Sequence, residues 1–380
     1  MIQRQVRTAW LAASLLLTGG GAAHAVGYTL VDLGWAEFNV NAIAINNANQ
    51  VVWGSKSAPF GVPSQATIWD GNTGTKTALG PLGGFSVARG ISDAGQVVGA
   101  VYLSSPGAAS DHATVWSGST VTDLGTVGGR HSAAWGINQS GQVVGITTIG
   151  PDPEEWQAPS YAVTWNGGVA TVLGQAYSQA RGINDAGQVV GLDANANGGG
   201  YHATLWNGTT ATNLGTLGGR FSEANAINQA GQVVGSAYLS GDEVSHAALW
   251  SSGGAITDLG ALSGGQRSSA LGLNDSGQVV GWSARSDGHK QYATLWDGTQ
   301  AVDLNSLVGV SPDGFILSTA LDINDQGWIV GLRYNYNTGG VPRAFVLIPV
   351  PEPGVFALVL AGLFPVGAGA WRRYRQRRLS

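Results

Sequence analysis

Three groups of acids in this 380-residue chain stand outside any repeating pattern: Asp152, Glu154 and Glu155; Asp242 and Glu243; and Asp287. Two carboxyls held across a glycosidic bond perform acid–base hydrolysis, so a hydrolase of extracellular polysaccharide would draw on these residues. Their mutual spacing is not set by the sequence. Beside them lie groups suited to holding a sugar rather than cutting it: Trp156, Tyr201, Asp242, Glu243, His289 and Lys290 mix aromatic faces with hydrogen-bonding heads. Asp193, Asn195 and Asn197 put oxygens at alternate positions, as the first half of a calcium loop does. Thr204 stands where such a loop needs its twelfth-position Glu, so an Asn/Gly-rich turn is the expected structure and no metal is assigned.

Other reactive types recur with the chain's own period. His112, His202 and His246 occupy equivalent places, as do Ser86, Ser132, Ser178, Ser222, Ser268 and Ser318. A residue repeated by symmetry serves the scaffold, whereas a nucleophile needs its own base and orienting group. No catalytic residue and no cofactor are therefore expected, and binding is favoured over catalysis. The polysaccharide hydrolase stays as the alternative. The sequons at Asn138, Asn207 and Asn274 fall in turn chemistry.

The elements that must position these residues follow from the period. The segment Ser-x-Ala-x-Gly-Ile-Asn-Asp-x-Gly-Gln-Val-Val-Gly recurs, best at 86–99, 178–191 and 268–281. Aligned on its Ile or Leu it gives Ile45, Ile91, Ile137, Ile183, Ile227, Leu273 and Ile323, at steps of 46, 46, 46, 44, 46 and 50 residues. Each unit adds an Ala-x-x-Trp strand, ending at Trp69, Trp116, Trp165, Trp206, Trp250 or Trp296, with Phe345 nearly in place in the seventh. A short strand follows at Leu79, Leu124, Leu173, Leu214, Leu259 and Leu304. Four short strands in a period of 40 to 50 residues mark a propeller blade. The fold expected is an all-β, seven-bladed β-propeller. Only six of the short strands follow a Trp strand; the seventh is at 29–34, where Thr-Leu-Val-Asp-Leu-Gly would lie beside 344–347 and close the ring. Closure removes the exposed edges an open array would leave.

Composition agrees. Charged residues make up 11% and Gly fills 60 positions, which suits short strands and tight turns. Cysteine is absent, which excludes disulfides and thiolate metal sites. Apart from its two ends the chain carries a formal charge of about −11, so nucleic acid is excluded as a partner.

The ends read as addresses. Arg4 and Arg7, the apolar run 9–17 and the small residues Ala23 and Ala25 have the order of a signal peptide over 1–25, cut by signal peptidase. The propeller is assigned to 26–349. Over 350–380, Pro351-Glu352-Pro353 precedes an uncharged stretch at 354–371 and a cluster beginning Arg372-Arg373. That stretch is just long enough to cross a bilayer, with its arginines staying inside. This tail resembles the PEP-CTERM sorting signal. The resemblance implies an exosortase-type partner that cuts near Pro-Glu-Pro, an inner-membrane intermediate, and final residence at the surface or in the extracellular matrix of a Gram-negative bacterium. A permanent single-span anchor is the competing reading of the same residues. The body, through His112-Ala113, His202-Ala203 and His246-Ala247, resembles HAF-type extracellular repeat proteins, with Gln65, Tyr161, Tyr292 and Arg343 departing from the His. That likeness implies export and no particular activity. The expected ligand is exopolysaccharide or a surface protein, met by the end of the ring with the longer connections.

Overall fold

A computed structural model describes residues 27–36, 43–55, 64–80, 85–105, 108–150, 158–194, 199–286, 290–309 and 313–350. Seven four-stranded antiparallel sheets form a ring, a seven-bladed β-propeller. Blade 2 shows the pattern: Phe85–Ile91 innermost, then Val97–Ser105, Ala108–Ser117 and, outermost, Thr120–Gly125. Blades 1 and 3 to 7 begin at Ile43, Ser132, Gln179, Gly218, Ser268 and Ile316. The seventh has the order Tyr28–Trp35, Arg343–Pro349, Ile329–Tyr334, Ile316–Ile323, so the first strand of the chain is the outer strand of the last blade. By contacts the ring is the unit Leu30–Ile348. In the second unit, made of the two chain ends, residues 27–29, 349 and 350 are described, and there Val350 N–H donates to the Gly27 carbonyl at 2.8 Å. No helix among the described residues is long and apolar enough to cross a membrane; 354–371 lies outside them.

The Val-Val pair of each repeat explains how blades stack. Successive side chains of a strand face opposite ways, and each blade is covered on both faces. Val97 packs in the seam towards blade 1 with Val52, Ala66 and Trp116, while Val98 packs towards blade 3 with Ala134, Val143 and Trp165. The same alternation runs through Val143/Val144, Val189/Val190 and Val233/Val234. Trp116, Trp165, Trp206, Trp250 and Trp296 are fully enclosed in these seams, and Phe345 in blade 7 is equally buried.

Inner strands carry a bulge that the repeat pattern does not announce. Register shifts by one residue between Ala88 and Gly90, and likewise at Ala134/Gly136, Ala180/Gly182, Ala224/Ala226, Ala270/Gly272 and Ala320/Asp322. A bulge leaves one residue unpaired and re-aims it. Here that residue is Arg89, Trp135, Arg181, Asn225, Leu271 or Leu321. The Gly that follows lets the next blade approach, since a Cβ on Gly90 would lie 2.8 Å from the Trp135 carbonyl oxygen.

At the tight-turn end the Asn of Ile-Asn-Asp does more than start a turn. Its Oδ1 accepts the N–H four residues on, as Asn184 does from Gln188 at 3.0 Å, and Gly187 supplies the positive φ of 75°. Its Nδ2 also donates to the backbone carbonyl of the equivalent residue in the next blade. Asn46, Asn138, Asn184, Asn228, Asn274 and Asn324 make this bond at 2.9–3.2 Å, the last of them closing onto the Asn46 carbonyl. In blade 2 the residue is Ser92, and the seam to blade 3 lacks the link.

Two local features differ from the expectation. Leu79, Leu173, Leu214 and Leu304 sit just past their outer strands, and each donates its N–H to the Ala carbonyl of the third strand at 2.8–2.9 Å. The 50-residue step before Ile323 accommodates a helical turn, Asn305–Val308, in the connection between blades 6 and 7.

Candidate functional site

Both short turns of a blade fall at one end of the ring, so the longer connections share the other. Among the described residues three aromatic side chains are exposed, Tyr102 (43%), Tyr177 (65%) and Tyr201 (37%), and all three stand at the long-connection end. Rings there cluster across seams. Tyr201 lies 5.2 Å from Phe221, which lies 5.4 Å from Tyr238, and the Arg220 guanidinium stands 5.4 Å over Phe221. Arg220 donates from Nε to Asp242 Oδ2 at 2.5 Å and from its backbone N–H to Oδ1 at 2.6 Å. The Arg220 hydrogen bonds hold Asp242 below the usual carboxylate range.

Tyr201 and Asp242 therefore belong to one patch across blades 4 and 5. Glu243 is its exposed neighbour, and its backbone carbonyl accepts from Arg267 Nη2 at 3.2 Å. Lys290 belongs to a separate patch, 6.0 Å over Tyr336, which packs edge-on against Tyr334 at 4.9 Å. Trp156 and His289 lie outside the described residues, as do Asp152, Glu154, Glu155, Asp287, Asn195 and Asn197. Asp193 is the next-to-last residue of the second strand of blade 4, where its carboxylate accepts the N–H groups of Gln175 (3.1 Å) and Ala194 (2.9 Å). Burial raises its pKa. Ala23, Ala25, Pro351, Glu352, Pro353, Arg372 and Arg373 also lie outside the described residues.

Each repeated histidine bridges the third and outer strands of its own blade: His112 to Asp123 at 2.8 Å, His246 to Asp258 at 2.9 Å, and His202 to Asn213. Among the described residues no three His, Asp or Glu come together as a metal site would need. The repeated serines have scaffold partners as well. Ser132, Ser178, Ser222 and Ser268 each accept an Ala N–H from the preceding blade and donate to a carbonyl at the end of that blade's outer strand or in the connection after it.

The residues that sequence reasoning passed over line the central channel. The seven inner strands enclose a cavity of about 240 Å³. Trp135 stands between two cations, with Arg89 5.9 Å and Arg181 6.0 Å from its ring centroid. Arg181 is neutralised by Glu223 at 2.8 Å and donates to Asn225 Oδ1 at 2.5 Å and Gln179 Oε1 at 3.0 Å. Arg89 differs: its Nε is enclosed without a hydrogen-bond partner, and so is Trp135 Nε1. Asp111, whose charge acts on Arg89, is turned to His131 Nδ1. In blade 7 the channel holds Asp322, which accepts the N–H groups of Ile45 (3.0 Å) and Ile323 (2.9 Å), and burial pushes its pKa up to about 6. The signal was present in the sequence as one of the two variable positions of the Ser-x-Ala-x-Gly inner strand: Arg89, Trp135, Arg181, Asn225, Leu271 and Leu321 all precede the Gly position.

No family model matches the chain, and no curated protein matches it. Among solved structures it is similar to the β-propeller domain of the Trilobed protease from Pyrococcus furiosus, at 9% identity over 69% of this chain and 82% of that one, with a TM-score of 0.46. It is also similar to Pyrococcus horikoshii acylaminoacyl peptidase (11% identity, 80% of this chain, 51% of that one, TM-score 0.48). A third likeness is to TolB from Acinetobacter baumannii (12% identity, 60% and 53%, TM-score 0.39). The chain spans about half the length of the last two. These likenesses concern the fold alone.

Proposed function

We propose that the chain is an exported propeller module that binds extracellular polysaccharide through its long-connection face. The observation that carries the reading is the gathering of the exposed Tyr102, Tyr177 and Tyr201 on that face, where their rings offer stacking surfaces. Neighbouring Arg220, Asp242 and Glu243 offer donors and acceptors for hydroxyls. The fixed ion pair of Asp242 with Arg220 suits binding rather than acid catalysis, which needs a carboxyl with a raised pKa.

The test is retention of the purified chain on the producer's own matrix polysaccharide. Tyr201→Ala and Trp156→Ala should weaken it severalfold. Val169→Ser, which changes an exposed residue at a tight turn, should not. Equal retention by all three overturns the face, and capture by a surface protein in place of polysaccharide overturns the ligand. The export reading has its own check: intact mass of surface-held protein should lack 1–25 and the arginine-ended tail.

A further inference from the structure

We propose that the central channel binds the carboxylate of a sugar acid of the uronate class, with Arg89 as its ligand, at the long-connection end of the ring. The claim deepens the polysaccharide reading and rests on it for the source of the sugar.

Three observations converge on this cavity. The first is charge without a partner. Arg181 has Glu223, whereas Arg89 has no hydrogen-bond or ion-pair partner among the described residues, and its Nε is enclosed. Burial also holds its pKa below the usual arginine value, the sign of a cation in an unfavourable place. Buried polar groups are normally satisfied, and an unpaired one calls for a reason. A guanidinium fork accepts a carboxylate through two parallel bonds, which supplies the reason here.

The second is shape and chemistry. The cavity of about 240 Å³ is smaller than the roughly 300–1,000 Å³ of drug-sized sites, so it takes a single ring. Across the channel from Arg89 and Trp135, blade 6 presents Leu271, an apolar surface for the C–H face of a sugar. Trp135 Nε1 needs an acceptor, and a ring hydroxyl is one. The enclosed indoles of Trp53, Trp165, Trp206, Trp250 and Trp296 also lack acceptors, but they are packed among apolar side chains in the seams, while Trp135 borders the cavity. Asp322, which blade 7 presents to the same cavity, makes a dianion such as phosphate a poorer fit than a single carboxylate.

The third is access. Asp111, whose carboxylate charge acts on Arg89, and Tyr102, its partner across the strand pair, both stand at the long-connection end of blade 2. The guanidinium, which lines the cavity, thus lies within electrostatic reach of the end where exposed tyrosines would hold a polymer. The chain is acidic overall, so an acidic sugar needs a local cation to be held at all.

The experiment is calorimetric titration of the full chain with D-glucuronate, D-glucose and a disaccharide ending in glucuronate. Glucuronate should bind at least tenfold tighter than glucose. Arg89→Gln should lose at least tenfold of that affinity, and Arg89→Lys should keep part of it. Arg89 has no hydrogen-bond or ion-pair partner among the described residues and only the Trp135 ring beside it at 5.9 Å, so Arg89→Gln should melt close to the parent; a marked loss of stability would make Arg89 a structural residue and overturn the site. Absence of glucuronate binding, equal glucose binding, or unchanged affinity in Arg89→Gln each overturns it too. Binding of the disaccharide identifies a chain end as the source, and binding of the monomer alone a free sugar acid. Tyr201→Ala separates the two readings: it should lose matrix retention and still take up glucuronate in the channel.

Discussion

Ser92 is the one break in the chain of amide bonds that ties blade to blade at the tight-turn end. Its Oγ already does the local half of the Asn task, accepting the Gln96 N–H at 3.2 Å, but it is too short to reach the Asn138 carbonyl. Ser92→Asn should restore both roles and raise stability by about 1 kcal/mol, the usual net contribution of one hydrogen bond. A denaturant midpoint that falls, or does not move, would show that the seam cannot accommodate the amide. Asp322 offers a second test at this scale. Its folded-state pKa of about 6 lies above the unfolded value of about 3.8, so on its account stability is greatest below the unfolded value. It is lost as pH rises towards 6. Asp322→Asn should remove that slope, worth at most about 3 kcal/mol and reduced by channel solvent. Stability curves of parent and variant that stay parallel from pH 4 to 6.5 would refute the burial effect. The sequence made the Asn of Ile-Asn-Asp legible as a turn former. Its reach into the next blade was hidden, because nothing in a one-dimensional pattern says which carbonyl lies beyond a turn.

At the scale of the element, the tryptophans explain why a chain with 11% charged residues and no cysteine holds together. Trp206 is fully buried among Val144, Ala162, Ala180 and Val189, residues of two adjacent blades, and its Nε1 has no acceptor. Its contribution is therefore packing alone. Trp206→Ala should cost about 3–5 kcal/mol, read by chemical denaturation. A cost below about 1 kcal/mol would mean that the small residues around it collapse into the space. Strand order and count were legible because alternation, turn residues and the Trp strand repeat together. The inner-strand bulge was not, since blades 2 to 7 all carry it at the same place and it leaves the spacing untouched. That omission is why Arg89, Trp135 and Arg181 read as variable strand positions, although the bulge turns them into the channel.

For the whole molecule, closure depends on seven residues at one end of the ring's sequence. Leu33 of the Tyr28–Trp35 strand is buried with Ala344, Val346 and Leu332, in a cluster that continues into Ile43, Trp53 and Trp69 of blade 1. The strand also brings Asp32 to Arg333 at 2.7 Å and to Arg343, and the Leu33 carbonyl accepts from Lys76 Nζ at 2.7 Å. Deleting residues 28–34 should therefore do more than shorten a tail. It exposes the edge of Arg343–Pro349, takes one of the two carboxylates from the buried Arg333, leaving Asp313 at 3.1 Å, and opens the seam where blade 7 meets blade 1. Hydrogen exchange should accelerate at Phe345 and Val346 and, through the shared cluster, at Val51 and Trp53. Exchange at Trp206, in a seam on the far side of the ring, should change far less. Asp32→Asn gives a milder version in which the strand is kept and the ion pairs are lost, and it should speed exchange at 343–347 only in part. If the deletion left exchange at Phe345 unchanged, the N-terminal strand could not be what completes the seventh blade, and the ring would have to be closed by another segment.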